Sequence, residues 1–184
     1  MNKELGFCFS ILLALVLMSG CINNSENGHD NELEEVWKTV TDTGYVEEGD
    51  IVDVINLEIN STDYLTNLTV TVSWTDEPDN NDNLRTYENW PDLFQVWITD
   101  NEGITQTGEG SNQEGEEGQV VVEFPFHYFD KPRIQGPINI TISVEIIEAG
   151  DYYPDPGLSL SVIEDTGNDF TCTVDYSTLT LIEK

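Results

Sequence analysis

Positive charge is nearly absent from this chain: 6 Lys and Arg stand against 36 Asp and Glu, a net charge of −30 over 184 residues. Such a surface repels phosphate backbones, which removes nucleic acid from the set of partners. It also repels anionic headgroups, so no basic patch can hold the protein on a membrane. Histidine is scarce as well, with only His29 and His127. Zinc needs several His or Cys ligands, and residues 36–184 hold one of each, His127 and Cys172. No G-x-S-x-G elbow accompanies His127, which lies in FPFHYFDKP with Asp130 nearby. It reads as a packed loop residue rather than a member of a nucleophilic triad. The three cysteines, Cys8, Cys21 and Cys172, give no disulfide framework. Long apolar runs are missing too, except from about Phe7 to Met18. That run falls short of the roughly 20 residues a membrane-spanning helix needs.

The same run fits the core of an export signal, with Lys3 ahead of it and Met18-Ser19-Gly20-Cys21 closing it. This ending resembles the lipobox of prokaryotic lipoproteins, with Met18 where Leu is usual. The resemblance implies that residues 1–20 are a signal peptide and that Cys21 is acylated as the new N-terminus. The protein would then be exported and anchored on the outer face of the cytoplasmic membrane of a bacterium or archaeon. An ordinary secretory signal and an uncleaved anchor are the alternatives. Lys3 and Glu4 would leave together, so the mature charge stays at −30. Residues 21–35, INNSENGHDNELEE after the cysteine, read as a flexible acidic tether. As coil, roughly 14 residues would hold a domain about 20 Å from the membrane.

Residues 36–184 are expected to form one domain, and their period is two nearly throughout. Leu68, Val70, Val72 and Trp74 alternate with Thr69, Thr71 and Ser73. Ile138, Ile140, Ile142, Val144 and Ile146 alternate with Asn139, Thr141, Ser143 and Glu145. Shorter alternations occupy 55–59, 94–98, 158–162 and 170–176, with weaker ones at 36–43, 119–124 and 178–182. Each reads as a half-buried strand. Gly, Pro, Asn and Asp clusters separate them, and no helical periodicity persists after the signal. The expected fold is all-β: a single antiparallel β-sandwich, jelly-roll or Ig-like, of about eight or nine strands. Cys172 falls on the apolar side of its strand and reads as a small core residue. Two long connections stand out, 75–91 and 101–118. The second, rich in Gly and Glu, reads as a mobile, solvated insertion.

The centre of the chain carries a second resemblance. Trp74-Thr75-Asp76-Glu77-Pro78 closes one strand, and Asn89-Trp90-Pro91-Asp92 opens another that runs through VWITDNEG to Gly103. With Gly136-Pro137-Ile138-Asn139-Ile140-Thr141-Ile142, this is similar to the jelly-roll accessory domains of secreted subtilisin-like peptidases, including the pre-peptidase C-terminal type. The resemblance covers about 70 residues. It implies a β-sandwich with an accessory or binding role, sometimes with structural calcium, and does not imply peptidase activity.

Acidic loops are the candidate metal-ligating features, because calcium takes six to eight oxygen ligands. Asp76, Asp79 and Asp92, with Glu77, Asp82 and Asn89, lie in or beside the first long connection. Asp165, Asn168 and Asp169 form a second group around Gly167, and Asp151 with Asp155 a third. None has the EF-hand spacing, and solvated acidic turns are the plain alternative in so acidic a chain. Trp90 and Trp97 are candidate surface aromatics for a glycan or protein partner, with coverage by a loop as the alternative. Asn60, Asn67 and Asn139, along with Asn23, begin Asn-x-Ser/Thr triplets and are glycosylation candidates. The expected role is a lipid-anchored, non-catalytic binding or structural module of the cell surface. The alternatives are a glycosidase-like hydrolase using carboxylates in 75–91, and a solute-capturing lipoprotein serving a transporter.

Overall fold

Apolar–polar alternation resolves into two facing antiparallel sheets. The computed structural model describes residues 32–75, 80–82, 85–112, 116–124, 134–154 and 162–182. These hold twelve strands: β1 (Glu32–Glu47), β2 (Ile51–Ile59), β3 (Tyr64–Thr75), β4 (Asn80–Asp82), β5 (Arg85–Asn89), β6 (Asp92–Asp100), β7 (Thr105–Ser111), β8 (Glu117–Glu123), β9 (Ile134–Gln135), β10 (Ile138–Ala149), β11 (Tyr152–Pro154) and β12 (Gly167–Ile182). The first large sheet has the order β1-β12-β3-β8, with β9 on β3, and the second β2-β10-β6-β7. A small third sheet, β11-β5-β4, joins two strands of the first long connection to the short strand after β10.

The order of pairing decides between the two sandwich types. β1 pairs with β12, β2 with β10, β3 with β8, and β6 with β7. Among the eight long-paired strands of the two large sheets, first pairs with last and second with next to last, so the chain doubles back as one long ribbon. That ribbon is then rolled, so that β12 also pairs with β3 and β10 with β6. Eight strands paired this way make a jelly roll, not an Ig sandwich, whose sheets split the strands differently.

The inward side chains are those expected from the alternation. Leu68, Val70, Val72 and Trp74 of β3 meet Ile138, Ile140, Ile142, Val144 and Ile146 of β10, with Phe94, Val96 and Ile98 of β6 in the same core. Cys172 is buried there and unbridged. At one end of the first sheet a single transverse row reads Gly44, Phe170, Trp74, Gly118 across its four strands. A Cβ on Gly44 would come within 2.7 Å of the Phe170 ring, and one on Gly118 within 2.2 Å of the Trp74 ring. The two glycines therefore leave the space their aromatic neighbours fill. Phe94 stacks on Trp74 at 4.2 Å between ring centroids and meets Phe170 edge-on at 6.4 Å. This packing ties the two sheets together.

Several expectations need correction. The described parts of the stretch 101–118, residues 101–112 and 116–118, are not a solvated insertion. Asp100 accepts hydrogen bonds from the Glu102 and Ile104 N–H groups at 2.9 and 2.8 Å, and Gly103 takes the φ of +83° that the turn needs. β7 follows at once. Its inward positions Gly108 and Gly110 lie against β8, where a Cβ would come within 2.6 Å of Val122 and 2.8 Å of the Gln119 carbonyl. The Gly-rich sequence thus closes one edge of the sandwich. Within 75–91, β4 and β5 form a hairpin with Asn81 opposite Thr86, and β11 pairs beside it. Residues 178–182 are no separate strand but the continuation of β12 past a bulge at Ser177/Thr178. β1 begins at Glu32, inside the stretch expected as tether, because β12 extends far enough to pair with it. Of the strand expected at 158–162, all but Val162 lies outside the described residues, as do residues 1–31 with Cys8, Cys21, Asn23 and His29, and likewise His127 and Asp130.

Candidate functional site

Of the calcium set, Asp76 and Asp79 lie outside the described residues, as does Glu77. The others do not converge. Asn168 and Asp169 are neighbours on β12 and point to opposite faces, Asn168 buried and Asp169 exposed. Asp165 uses an oxygen to accept the Gly167 N–H at 3.3 Å, and its own N–H donates to Asp151 at 3.1 Å. Asp92 and Asn168 do meet, but as partners of each other. The Asn168 amide nitrogen donates to Asp92 Oδ2 at 2.7 Å and to the Thr75 carbonyl at 3.3 Å. An amide N–H occupies the oxygen a cation would take, so the pair clasps the ends of β3, β6 and β12. Among the described residues no three His, Cys, Asp or Glu side chains are grouped to hold a metal ion.

The two candidate aromatics stand apart. Trp90 is 55% exposed in the turn before β6. Trp97 lies on the outer face of β6, opposite Ser143 and Thr107, half-buried with its Nε1 enclosed. Five residue steps along the strand from Asp92 to Trp97, about 17 Å, keep them from forming one platform. Asn60 and Asn139 are exposed and Asn67 is half-buried on the outer face of β3. The Cys172 thiol is pushed up to about 11 by burial and, secondarily, by the nearby Asp42 carboxylate. That matches a core residue rather than a nucleophile.

A feature the sequence reading missed lies on the outer face of the first sheet. Register sets Thr39, Asp175, Thr69 and Glu123 in one row, Thr41, Thr173, Thr71 and Val121 in the next, then Thr43, Thr171, Ser73 and Gln119. The last two rows carry no charge, in a chain with 36 acidic residues. Beside them opens a depression of about 830 Å³. Thr43, Ser73, Thr75 and Thr171 line it with hydroxyls, and Glu117 and Asp169 with carboxylates. The buried Trp74, Asn168 and Phe170 also reach it.

Some outward polar side chains pair across strands, Thr39 with Asp175, Thr41 with Thr173 at 3.3 Å, and Thr66 with Ser177 at 2.7 Å, while among the described residues no hydrogen bond reaches the side chains of Thr69, Thr71, Gln119 or Glu123. On the opposite sheet Gln95 bonds Glu109, Thr99 bonds Thr105, Thr141 bonds Asn56, and Ser143 bonds Asp53. Among the described residues, no hydrogen bond reaches the side chains of Thr43, Ser73, Thr75, Glu117, Asp169 or Thr171. The signal for this face was present in the Thr-x-Thr alternations at 39–43, 69–71 and 171–173. Only the register joins them.

No protein-family model and no curated sequence matches this chain. Among solved structures, the chain is similar to one from Desmodium yellow mottle tymovirus at 8% identity and a TM-score of 0.41, covering 86% of this chain and 94% of that one. It is similar to structures of infectious bursal disease virus, Gx strain at 9% identity and a TM-score of 0.35, and Gt strain at 10% and 0.33. It spans well under half of those two chains, 37% and 38%.

Proposed function

We propose that this protein is a lipid-anchored, non-catalytic binding or structural module of the prokaryotic cell surface. The observation that carries the reading is Met18-Ser19-Gly20-Cys21 at the end of a short apolar run, eleven residues before the first strand begins at Glu32. A short acidic tether after a lipidated cysteine would present a β-sandwich just off the membrane. The strand-end carboxylates support a non-catalytic role, because Asp92, Asp100 and Asp165 are spent on local hydrogen bonds. Of the described calcium candidates, Asp92, Asp165 and Asn168 are spent the same way, and Asp169 points to the opposite face from Asn168, so the reading needs no calcium.

The test is expression of the full chain in a prokaryotic host, with mass analysis of the mature N-terminal peptide. The expected result is a peptide that begins at Cys21 and carries acyl or isoprenoid mass, with the protein in the membrane fraction. Cys21→Ser should block lipid addition and move the protein out of that fraction. An unmodified Cys21 in a secreted chain would overturn the anchor.

A further inference from the structure

We infer that Asn60 is a modification site, at which the folded protein takes an N-linked glycan from a lipid-carried sugar donor. The inference goes beyond the binding-module reading and rests only on its claim that the chain is exported. Three Asn-x-Thr triplets fall on the described residues: Asn60-Ser61-Thr62, Asn67-Leu68-Thr69 and Asn139-Ile140-Thr141. A transferase must hold the Asn amide and the hydroxyl two residues on in one site, so a usable triplet belongs on a surface loop. Among the described residues no hydrogen bond reaches any of the three side-chain amides, so a free amide does not separate them. The middle residue does. Leu68 is 0% exposed and Ile140 1%, both in the core, on strands paired along both edges. Thr141 also spends its hydroxyl on the Asn56 side chain at 2.9 Å. To enter an enzyme cleft, either triplet would have to leave its sheet and take a core side chain with it. Asn60, Ser61 and Thr62 are instead all exposed, in the turn between β2 and β3.

That turn is held through its backbone. The Asp63 N–H donates to the Asn60 carbonyl at 3.1 Å, and the Gly136 N–H to the Asp63 carbonyl at 3.0 Å. A Cβ on Gly136 would come within 2.0 Å of the Asn60 carbonyl oxygen, so the glycine lets the two segments meet backbone to backbone. None of these contacts engages the Asn60 amide. The Thr62 hydroxyl donates to the neighbouring Asp63 carboxylate at 3.4 Å, a long bond that a transferase can replace. In the transfer, Asn60 Nδ2 forms a bond to the anomeric carbon of a sugar carried on a polyprenyl phosphate. The bond from that carbon to the phosphate oxygen breaks. The polyprenyl phosphate leaves with the electron pair, and Nδ2 gives up one proton.

The test begins with the full chain in an archaeon that N-glycosylates its exported proteins, beside one of the host's own glycoproteins as a standard. Mass analysis of proteolytic peptides reads Asn60, Asn67, Asn139 and the lipid on Cys21 in one preparation. Glycan is expected on Asn60, absent in Asn60→Gln and Thr62→Val, and kept in Thr62→Ser. Folded chain made without glycan is then incubated with membranes that carry the transferase and its donor. Asn60 should be modified at least about tenfold faster than Asn67 or Asn139, because those two wait on the opening of core strands. Short synthetic peptides of the three triplets should be accepted at similar rates. A bare Asn60 beside a modified standard, equal modification of all three in the folded chain, or peptides that reproduce the same preference would each overturn the inference. A glycosylated chain without lipid on Cys21 sinks only the anchor, and a lipidated chain with bare Asn60 sinks only this inference. A chain that is not exported sinks both.

Discussion

At Asp92 a carboxylate is 1% exposed and takes the Asn168 amide on one oxygen. Replacing it with Ala strands that amide inside the protein, and buried unsatisfied donors cost about 1–3 kcal/mol. Asp92→Ala should therefore lower the unfolding free energy by that amount, read from urea titration, and millimolar calcium should not restore it. A calcium-dependent recovery would show that the loop works as a metal site instead. Cys172 gives a second residue-level outcome. Below about pH 9 its thiol is protonated in the folded and unfolded chain alike, so it contributes nothing to the pH dependence. Between pH 9 and about 11 only the unfolded chain releases the proton, so stability falls as pH rises through that window. The slope should be smaller in Cys172→Ala, measured by urea unfolding at pH 8.5 and 10.5 beside the parent. An identical slope in both would mean the thiol is not the group responsible.

Strands expose the next scale, and β1 is the instructive one. It is sixteen residues long, pairs on one side only with β12, and keeps its register without a bulge. Such an edge is a template for pairing with another chain. Its inward register positions include Lys38 opposite Tyr176 and Asp42 opposite Cys172, with the Lys38 ammonium 5.8 Å from the Tyr176 ring centroid. Charges aimed toward the sandwich guard the edge, since an incoming strand would have to cover them. The double variant Lys38→Thr/Asp42→Thr should self-associate, seen as larger species in light scattering, while Glu109→Gln stays monodisperse. A strictly monomeric double variant would show that the edge is guarded by something else. Strand existence was legible from alternation alone at β3, β6, β10 and β12. β7 was not, because its Thr-Gln-Thr-Gly-Glu-Gly-Ser sequence offers no apolar residue. Its inward positions are glycines, and their value lies in what they omit.

For the molecule as a whole, charge dominates the response to solution conditions. With −30 on a chain of 184 residues, mutual repulsion opposes compaction until salt screens it. The melting temperature should climb steeply from 0.01 M to about 1 M salt, where the screening length falls to ~3 Å. Sodium and magnesium chloride should act alike at matched ionic strength, and a flat response would show that the charges are too dispersed to matter. Topology adds a kinetic signature. Pairing β1 with β12 brings residue 32 against residue 182, and closing so long a loop before any reward makes folding slow.

Composition and period by themselves determined that the protein is acidic and all-β, and placed the inward and outward face of nearly every long strand. They could do so because charge and two-residue alternation are local properties, readable without knowing any partner. Which strands pair, and in what register, is not local. Only the tertiary structure decided for the jelly roll by joining β1 to β12 and β2 to β10. It also turned Asp92 and Asn168 into a clasp and set Gly44 and Gly118 at either end of an aromatic row. The same pairing gathered hydroxyls from residues 43, 73 and 171 around one depression, since a ligand-sized surface on a sheet is made across strands and not along them.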